Sequence, residues 1–282
     1  MTDPIRSGAS LSTAESHWLH PSQIRAPLIV LIHGFTGDGE YLRKFATYCE
    51  GYGFLTALFE YDSYLGIDDA ATKLTHRLAA AGERLIDVGF ALIGHSMGGL
   101  VARAAICSLS PNHRKALKGL VTLGTPNAGT LSRELVGYML DWAESISKPH
   151  PFARSKACVS SQQLTKSDSQ RFLDSLHSEE ARLGDTVPRL SVSGGLSYLE
   201  TASNRIRDRL QHIILQRLIN ELPNDGLVGE SSADLRSAMS PSRNEIEHLN
   251  NYDEFLRINH SYLAANQDIA TIVVNWLRER WH

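Results

Sequence analysis

Phe90-Ala91-Leu92-Ile93-Gly94-His95-Ser96-Met97-Gly98-Gly99-Leu100-Val101-Ala102 is the stretch on which the reading of this chain turns. Four apolar residues run into a serine with a glycine two residues away on each side, and small and apolar residues continue beyond. The first part has the character of a buried strand and the last that of a helix. Glycines at 94 and 98 relieve crowding, so the chain can turn sharply and leave the Ser96 oxygen at the edge of a sheet. A serine hydroxyl is a weak nucleophile near neutral pH and needs both that exposure and a base within hydrogen-bond reach. The same five residues also suit a glycine-rich turn with an inert serine; the flanking strand and helix favour the nucleophile.

Moving outward, Pro27-Leu28-Ile29-Val30-Leu31-Ile32 runs to His33-Gly34 and reads as a strand buried on both faces. Tyr41, Leu42, Phe45 and Tyr48 or Cys49 recur at helical spacing before Gly51-Tyr52-Gly53, and residues 54–59 form the next strand. A helix is predicted over 67–88, with Leu74, Leu78, Leu85 and Ile86 on its buried face. Downstream, 119–123 is a strand ending in Gly124-Thr125-Pro126. Strands alternating with helices at this spacing predict a parallel sheet covered on both faces, with the chemistry at the carboxyl ends of the strands.

After Pro126 the rhythm changes for about sixty residues, too many for an ordinary connection. Helical patterns at 131–146 and 169–183 suggest a cap or lid over 127–187. The sheet resumes at 189–193, and 204–220 is an amphipathic helix through Ile206, Leu210, Ile213, Ile214 and Leu218. Residues 254–258 are expected as the last strand. Ile269, Ile272, Val273, Trp276 and Leu277 give a final helix one packed face. The organisation expected is a lead-in over 1–24 without chemistry, then one α/β domain over 25–282 that carries the insertion.

With 282 residues, 42% of them hydrophobic, the chain can bury one substantial core. Twenty-eight basic and 31 acidic side chains leave a formal charge of −3, which gives no reason to expect a nucleic-acid partner. Cys49, Cys107 and Cys158 are odd in number and lack metal-ligand spacing, as ordinary thiols in a reducing compartment would. The first residues have no apolar signal core, and no stretch reaches the roughly 18 uninterrupted apolar residues of a membrane span. A cytoplasmic location is the expectation.

Four motifs together resemble the lipase and esterase branch of the α/β hydrolases, from about Pro27 to the C-terminus. They are His33-Gly34-Phe35-Thr36-Gly37, Gly94-His95-Ser96-Met97-Gly98-Gly99, Leu123-Gly124-Thr125-Pro126-Asn127-Ala128-Gly129 and Asn224-Asp225-Gly226-Leu227-Val228. The resemblance implies an α/β-hydrolase fold with a mostly parallel sheet, flanking helices and a helical cap. It also implies that the backbone N–H groups of Phe35 and Met97 hold a tetrahedral oxyanion. His33 would shape its turn through hydrogen bonds, and His95 would pack beside the nucleophile.

The family order of serine, acid, histidine places the acid after the strand at 189–193 and the base after the last strand. Asp225 meets the first demand, although Asn-Asp-Gly is also a common turn sequence; Glu221 and Asp234 are weaker candidates. His248 and His260 compete for the base. His260 is preferred because it stands between the expected last strand and the final helix, whereas His248 sits among polar residues. The chemistry implied is ester hydrolysis through an acyl-enzyme, with no cofactor. Rivals are an acyltransferase using the same triad and a non-catalytic binding protein on the same fold.

Leu135, Met139 and Trp142, with Leu131, would put an apolar stripe of the cap over an acyl chain, or would simply pack on the core. An ester or lipid-like small molecule is the expected partner. Arg205, Arg207, Arg209 and Arg217 form a solvated basic face, with contact to an anionic membrane surface as the weaker reading. Some lipases of similar pattern hold calcium near the histidine loop. The carboxylates here, Asp253 included, do not align with such a site, so no metal is expected.

Overall fold

The computed structural model describes residues 18–129, 158–164, 166–184, 187–196, 219, 223–239, 246–250 and 258–281. Six parallel strands form one sheet: β1 (Leu28–Ile32), β2 (Leu55–Phe59), β3 (Phe90–His95), β4 (Leu117–Leu123), β5 (Arg189–Val192) and β6 (Ile246–Leu249), in the order β2-β1-β3-β4-β5-β6. Around it lie α1 (Arg43–Gly51), α2 (Ile67–Val88), α3 (Met97–Ser108), α4 (Pro111–Ala116), α5 (Val159–Leu164), α6 (Lys166–Leu183), α7 (Glu230–Ala233), α8 (Leu235–Ala238), α9 (His260–Leu263) and α10 (Gln267–Arg278).

The core follows the two-residue period of the strands. Leu28, Val30 and Ile32 face a layer that includes Leu74, Leu78 and Leu85 of α2 and Leu100 and Val101 of α3. Ile29 and Leu31 face the opposite layer, with Phe45 and Cys49 of α1 and Ile269, Val273 and Trp276 of α10. Burial on both faces explains why β1 is a continuous apolar run rather than an alternating one. The strand order reverses between β1 and β3, which opens a crevice at their carboxyl ends. The loop after β1 and the turn after β3 both open there.

Helix α6, expected at 169–183, packs on α3 and makes the crossover that a parallel β4–β5 pair requires. Its Glu180 is buried and receives Arg103 Nη2 at 2.7 Å and Arg189 Nη1 at 2.8 Å. Burial raises the Glu180 carboxyl, but the two guanidiniums outweigh it and hold it at about 2. Arg103 also donates to the Asn127 carbonyl at 3.0 Å, tying the end of the β4 loop to the same centre.

The sixth strand differs from expectation. It is Ile246–Leu249, a short edge strand with only two apolar residues, so burial never wrote a hydrophobic run there. Of 254–258 only Ile258 is described; it is outside any strand, and its carbonyl accepts from Gly195 and Leu196 N–H. The final helical segment is two pieces, α9 and α10, each capped by an asparagine, Asn259 and Asn266. The expected helices at 131–146 and 204–220 lie outside the described residues, apart from Ile219. Among the described residues no helix is long and apolar enough to cross a membrane.

Candidate active site

Ser96 lies between β3 and α3 with φ 55° and ψ −128°; among the described residues it shares a positive φ only with Thr36 and glycines. For a non-glycine residue this backbone costs on the order of 1–3 kcal/mol and persists only where surroundings impose it. The flanking glycines show what imposes it. A Cβ on Gly94 would lie 2.5 Å from the Gly98 carbonyl oxygen, and one on Gly98 would lie 2.5 Å from the His33 carbonyl oxygen. The Ser96 N–H donates to the Leu123 carbonyl at 2.8 Å, fastening the turn to β4. Met97 N–H opens α3 and has no acceptor among the described residues, as a helix amino end leaves its first donors free.

The loop after β1 faces this turn. A Cβ on Gly34 would come within 2.8 Å of Ser96 Cβ, so only glycine allows the loop so close. The Gly34 carbonyl accepts from His33 Nδ1 at 3.0 Å and from Gly37 N–H at 3.3 Å. A trans peptide points its N–H opposite to its C=O, so the Phe35 N–H is turned away from both donors. It too lacks an acceptor among the described residues. Thr36 N–H donates to Ser63 Oγ at 3.0 Å and Gly39 N–H to Glu60 Oε1 at 2.8 Å, which pins the rest of the loop. His33 is wholly buried, stacks on Tyr61 with ring centres 4.1 Å apart, and is pushed by burial down to about 4. It is a neutral ring that shapes the loop.

Asp225 and His260, 35 residues apart in sequence, are joined by a 2.7 Å hydrogen bond from His260 Nδ1 to Asp225 Oδ2, and both are buried. The other carboxylate oxygen accepts the Leu227 and Val228 N–H groups at 3.0 and 2.8 Å. The His260 N–H donates to the Asp225 carbonyl at 2.8 Å, so backbone and side chain are fixed together. Gly124, at φ 54°, lies beneath the pair, where a Cβ would stand 2.8 Å from Asp225 Oδ2 and 3.0 Å from His260 Nδ1. With Nδ1 donating to the carboxylate, Nε2 is left as the basic nitrogen.

His95 does more than pack. Its Nε2 meets the His260 carbonyl at 2.8 Å and its Nδ1 meets the Tyr41 hydroxyl at 2.8 Å, while that hydroxyl also receives the Gly34 N–H at 2.7 Å. By its spacing alone Tyr41 is a helix residue. The 3-10 turn Gly39–Leu42 packs against β1 and β2 and carries the Tyr41 side chain to His95, a contact that nothing in the spacing of residues 41 and 95 encodes.

Ser96 Oγ and His260 are not hydrogen-bonded to each other among the described residues; such bonds often tighten only around substrate. His248 stands apart, on β6 rather than in a polar loop, bonded to Ser191 Oγ at 2.8 Å and Ser193 Oγ at 3.4 Å. Asp234 caps α8 and pairs with Arg236. No cluster that would hold a metal is found among the described residues. Leu135, Met139, Trp142, Glu221, Asp253 and the arginines at 205, 207, 209 and 217 lie outside the described residues.

The sheet order and the strand–turn–helix at Ser96 are those of the α/β-hydrolase fold. A family model described as a PGAP1-like alpha/beta domain matches residues 86–136, which span β3, the Ser96 turn, α3, α4 and β4. Comparison with curated proteins gave no match. Among solved structures, the mature form of Bacillus licheniformis lipase BlEst2 is 18% identical with a TM-score of 0.63, over 92% of this chain and 95% of that one. The metagenomic carboxyl esterase MGS0156 is also 18% identical, with a TM-score of 0.58 over 90% of this chain and 76% of that one. Phospholipase PlaB from Legionella pneumophila is 16% identical with a TM-score of 0.56, over 74% of this chain and 46% of that one. This chain has the α/β-hydrolase fold.

Proposed function

We propose that this protein is a serine hydrolase of carboxylic esters. One observation carries the reading: a buried histidine and aspartate 2.7 Å apart, His260 and Asp225, at the same sheet edge as a serine held at positive φ between a strand and a helix. The folds named above as a lipase, a carboxyl esterase and a phospholipase support the substrate class. In this mechanism His260 Nε2 takes the Ser96 proton as Oγ attacks the ester carbonyl. Asp225 stabilises the imidazolium, and the N–H groups of Phe35 and Met97 receive the oxyanion. The imidazolium then protonates the leaving alcohol. Water, deprotonated by His260, attacks the acyl-enzyme; the bond to Oγ breaks, the imidazolium returns its proton to Ser96 and the acid is released.

The insertion over 127–187 is proposed as the cap, with Leu135, Met139 and Trp142 against the acyl chain. The test is a fluorophosphonate label and a p-nitrophenyl ester chain-length series on wild type and Ser96→Ala. Labelling and turnover lost in Ser96→Ala are expected; a wild type that neither labels nor hydrolyses sinks the reading. In Trp142→Ala the chain-length preference should shift, and an unchanged profile removes the cap from substrate binding.

A further inference from the structure

We propose that Tyr41 and His95 are positioning residues: a single chain of hydrogen bonds through them sets the oxyanion loop and the base histidine relative to each other. The proposal rests on the serine-hydrolase reading above. The contacts, together with the neutrality of the buried His95 ring, set the donor directions. The His260 carbonyl oxygen can only accept, so the His95 Nε2 facing it at 2.8 Å carries a hydrogen. Burial, and then the neighbouring His260, pushes His95 down to about 3, so the ring is neutral and its Nδ1 is bare. Tyr41 O–H therefore donates to Nδ1 at 2.8 Å, and its oxygen accepts the Gly34 N–H at 2.7 Å. The chain runs Gly34 N–H to Tyr41 O–H to His95, and His95 N–H to His260 C=O.

Both ends of this chain carry working groups. Gly34 precedes Phe35, and the His33–Gly34 peptide is held on its other side by Tyr61 O–H donating to the His33 carbonyl at 2.6 Å. With that peptide clamped between two tyrosine hydroxyls, the next one, which bears the Phe35 N–H, has a fixed starting direction. At the far end the His260 backbone is held through its carbonyl by His95 and through its N–H by Asp225. The His95 and His260 rings lie 4.7 Å apart and those of Tyr41 and His95 5.5 Å apart, so contact as well as hydrogen bonding transmits a displacement. His95 immediately precedes Ser96, so the donor loop and the base are both measured from the nucleophile's own strand. Catalytic geometry is sensitive at this scale, since a misplacement of about 1 Å can cost about a hundredfold in rate.

Tyr41→Phe deletes one oxygen and leaves the ring in place. For p-nitrophenyl butyrate, kcat per fluorophosphonate-titrated site should fall by about ten- to a hundredfold with KM within about twofold of wild type. Affinity for a trifluoromethyl ketone, whose adduct carries the oxyanion, should weaken by a similar factor. His95→Gln can still donate toward the His260 carbonyl and accept from Tyr41, so it should keep more kcat than His95→Leu. These outcomes support the proposal even if one variant folds poorly, because rates are counted per active site. Unchanged kcat and ketone affinity in Tyr41→Phe, or equal kcat in His95→Gln and His95→Leu, would overturn it while leaving the hydrolase reading intact. A wild type that is inert in the same assays overturns both.

Discussion

At the scale of single residues, Asp225 offers the sharpest test. Its Oδ1 accepts two backbone N–H groups and its Oδ2 accepts from His260, so an asparagine at this position must keep its oxygen toward Leu227 and Val228. The amide nitrogen then faces His260 Nδ1, two donors cannot share the contact, and the histidine is driven to the tautomer that protonates Nε2. Asp225→Asn should therefore fold normally and lose kcat by roughly a thousand- to ten-thousandfold. Ester hydrolysis per titrated protein and a thermal midpoint within a few degrees of wild type check it. The two histidines give a second test. His260→Ala should abolish turnover, whereas His248→Ala, whose side chain bonds Ser191 and Ser193 and lies 3.8 Å from the Asp234 carboxylate, away from Ser96, should keep it within about threefold. An active His260→Ala beside an inactive His248→Ala reverses the assignment.

At the scale of elements, the Ser96 turn depends on how closely β1, β3 and α3 approach. Gly98 is the contact point, and Gly98→Ala must push a methyl against the carbonyls that end β1. Overpacking of this kind typically costs about 1–3 kcal/mol. Because the strain lands on the loop proposed to hold the oxyanion, kcat should fall with the urea midpoint, and a variant that keeps both would place the close approach elsewhere. Helix α6 is anchored differently, by the buried Arg103–Glu180–Arg189 group. Glu180→Gln removes the charge that two enclosed guanidiniums share, and removing one partner of a buried pair commonly costs about 3–5 kcal/mol. Urea unfolding should show that loss; a change under 1 kcal/mol would mean that the arginines find other compensation.

For the whole molecule, the two buried neutral histidines bind protons less readily folded than unfolded. His33 moves from 6.5 to about 4 and His95 from 6.5 to about 3, so their contribution to stability is complete above pH 6.5 and is lost as pH falls through those windows. Each ring should account for about 2 kcal/mol of lost stability at pH 5. Urea midpoints between pH 7.5 and 4.5 should fall accordingly and fall less in His95→Gln; equal slopes would show that His95 is not held neutral. Glu180 acts in the same sense but lower down, its share persisting to pH 4.5 and fading toward about pH 2. Much of this architecture is legible in the sequence. Local burial writes apolar runs and helical spacing directly into the chain, which is why β1, β3, α2 and the Ser96 turn read correctly. The edge strand β6 did not, because a strand half open to solvent needs few apolar residues, and the helical spacing of α6 records a buried face without naming what covers it. The sequence by itself determined the strand–turn–helix around Ser96 and brought Asp225 and His260 forward as partners. Only tertiary structure decided that they meet, that His248 belongs to the sheet, and that Tyr41 and His95 bridge Gly34 to His260, because hydrogen bonds between residues 34, 41, 95 and 260 depend on how strands pack side by side and leave no periodic trace along the chain.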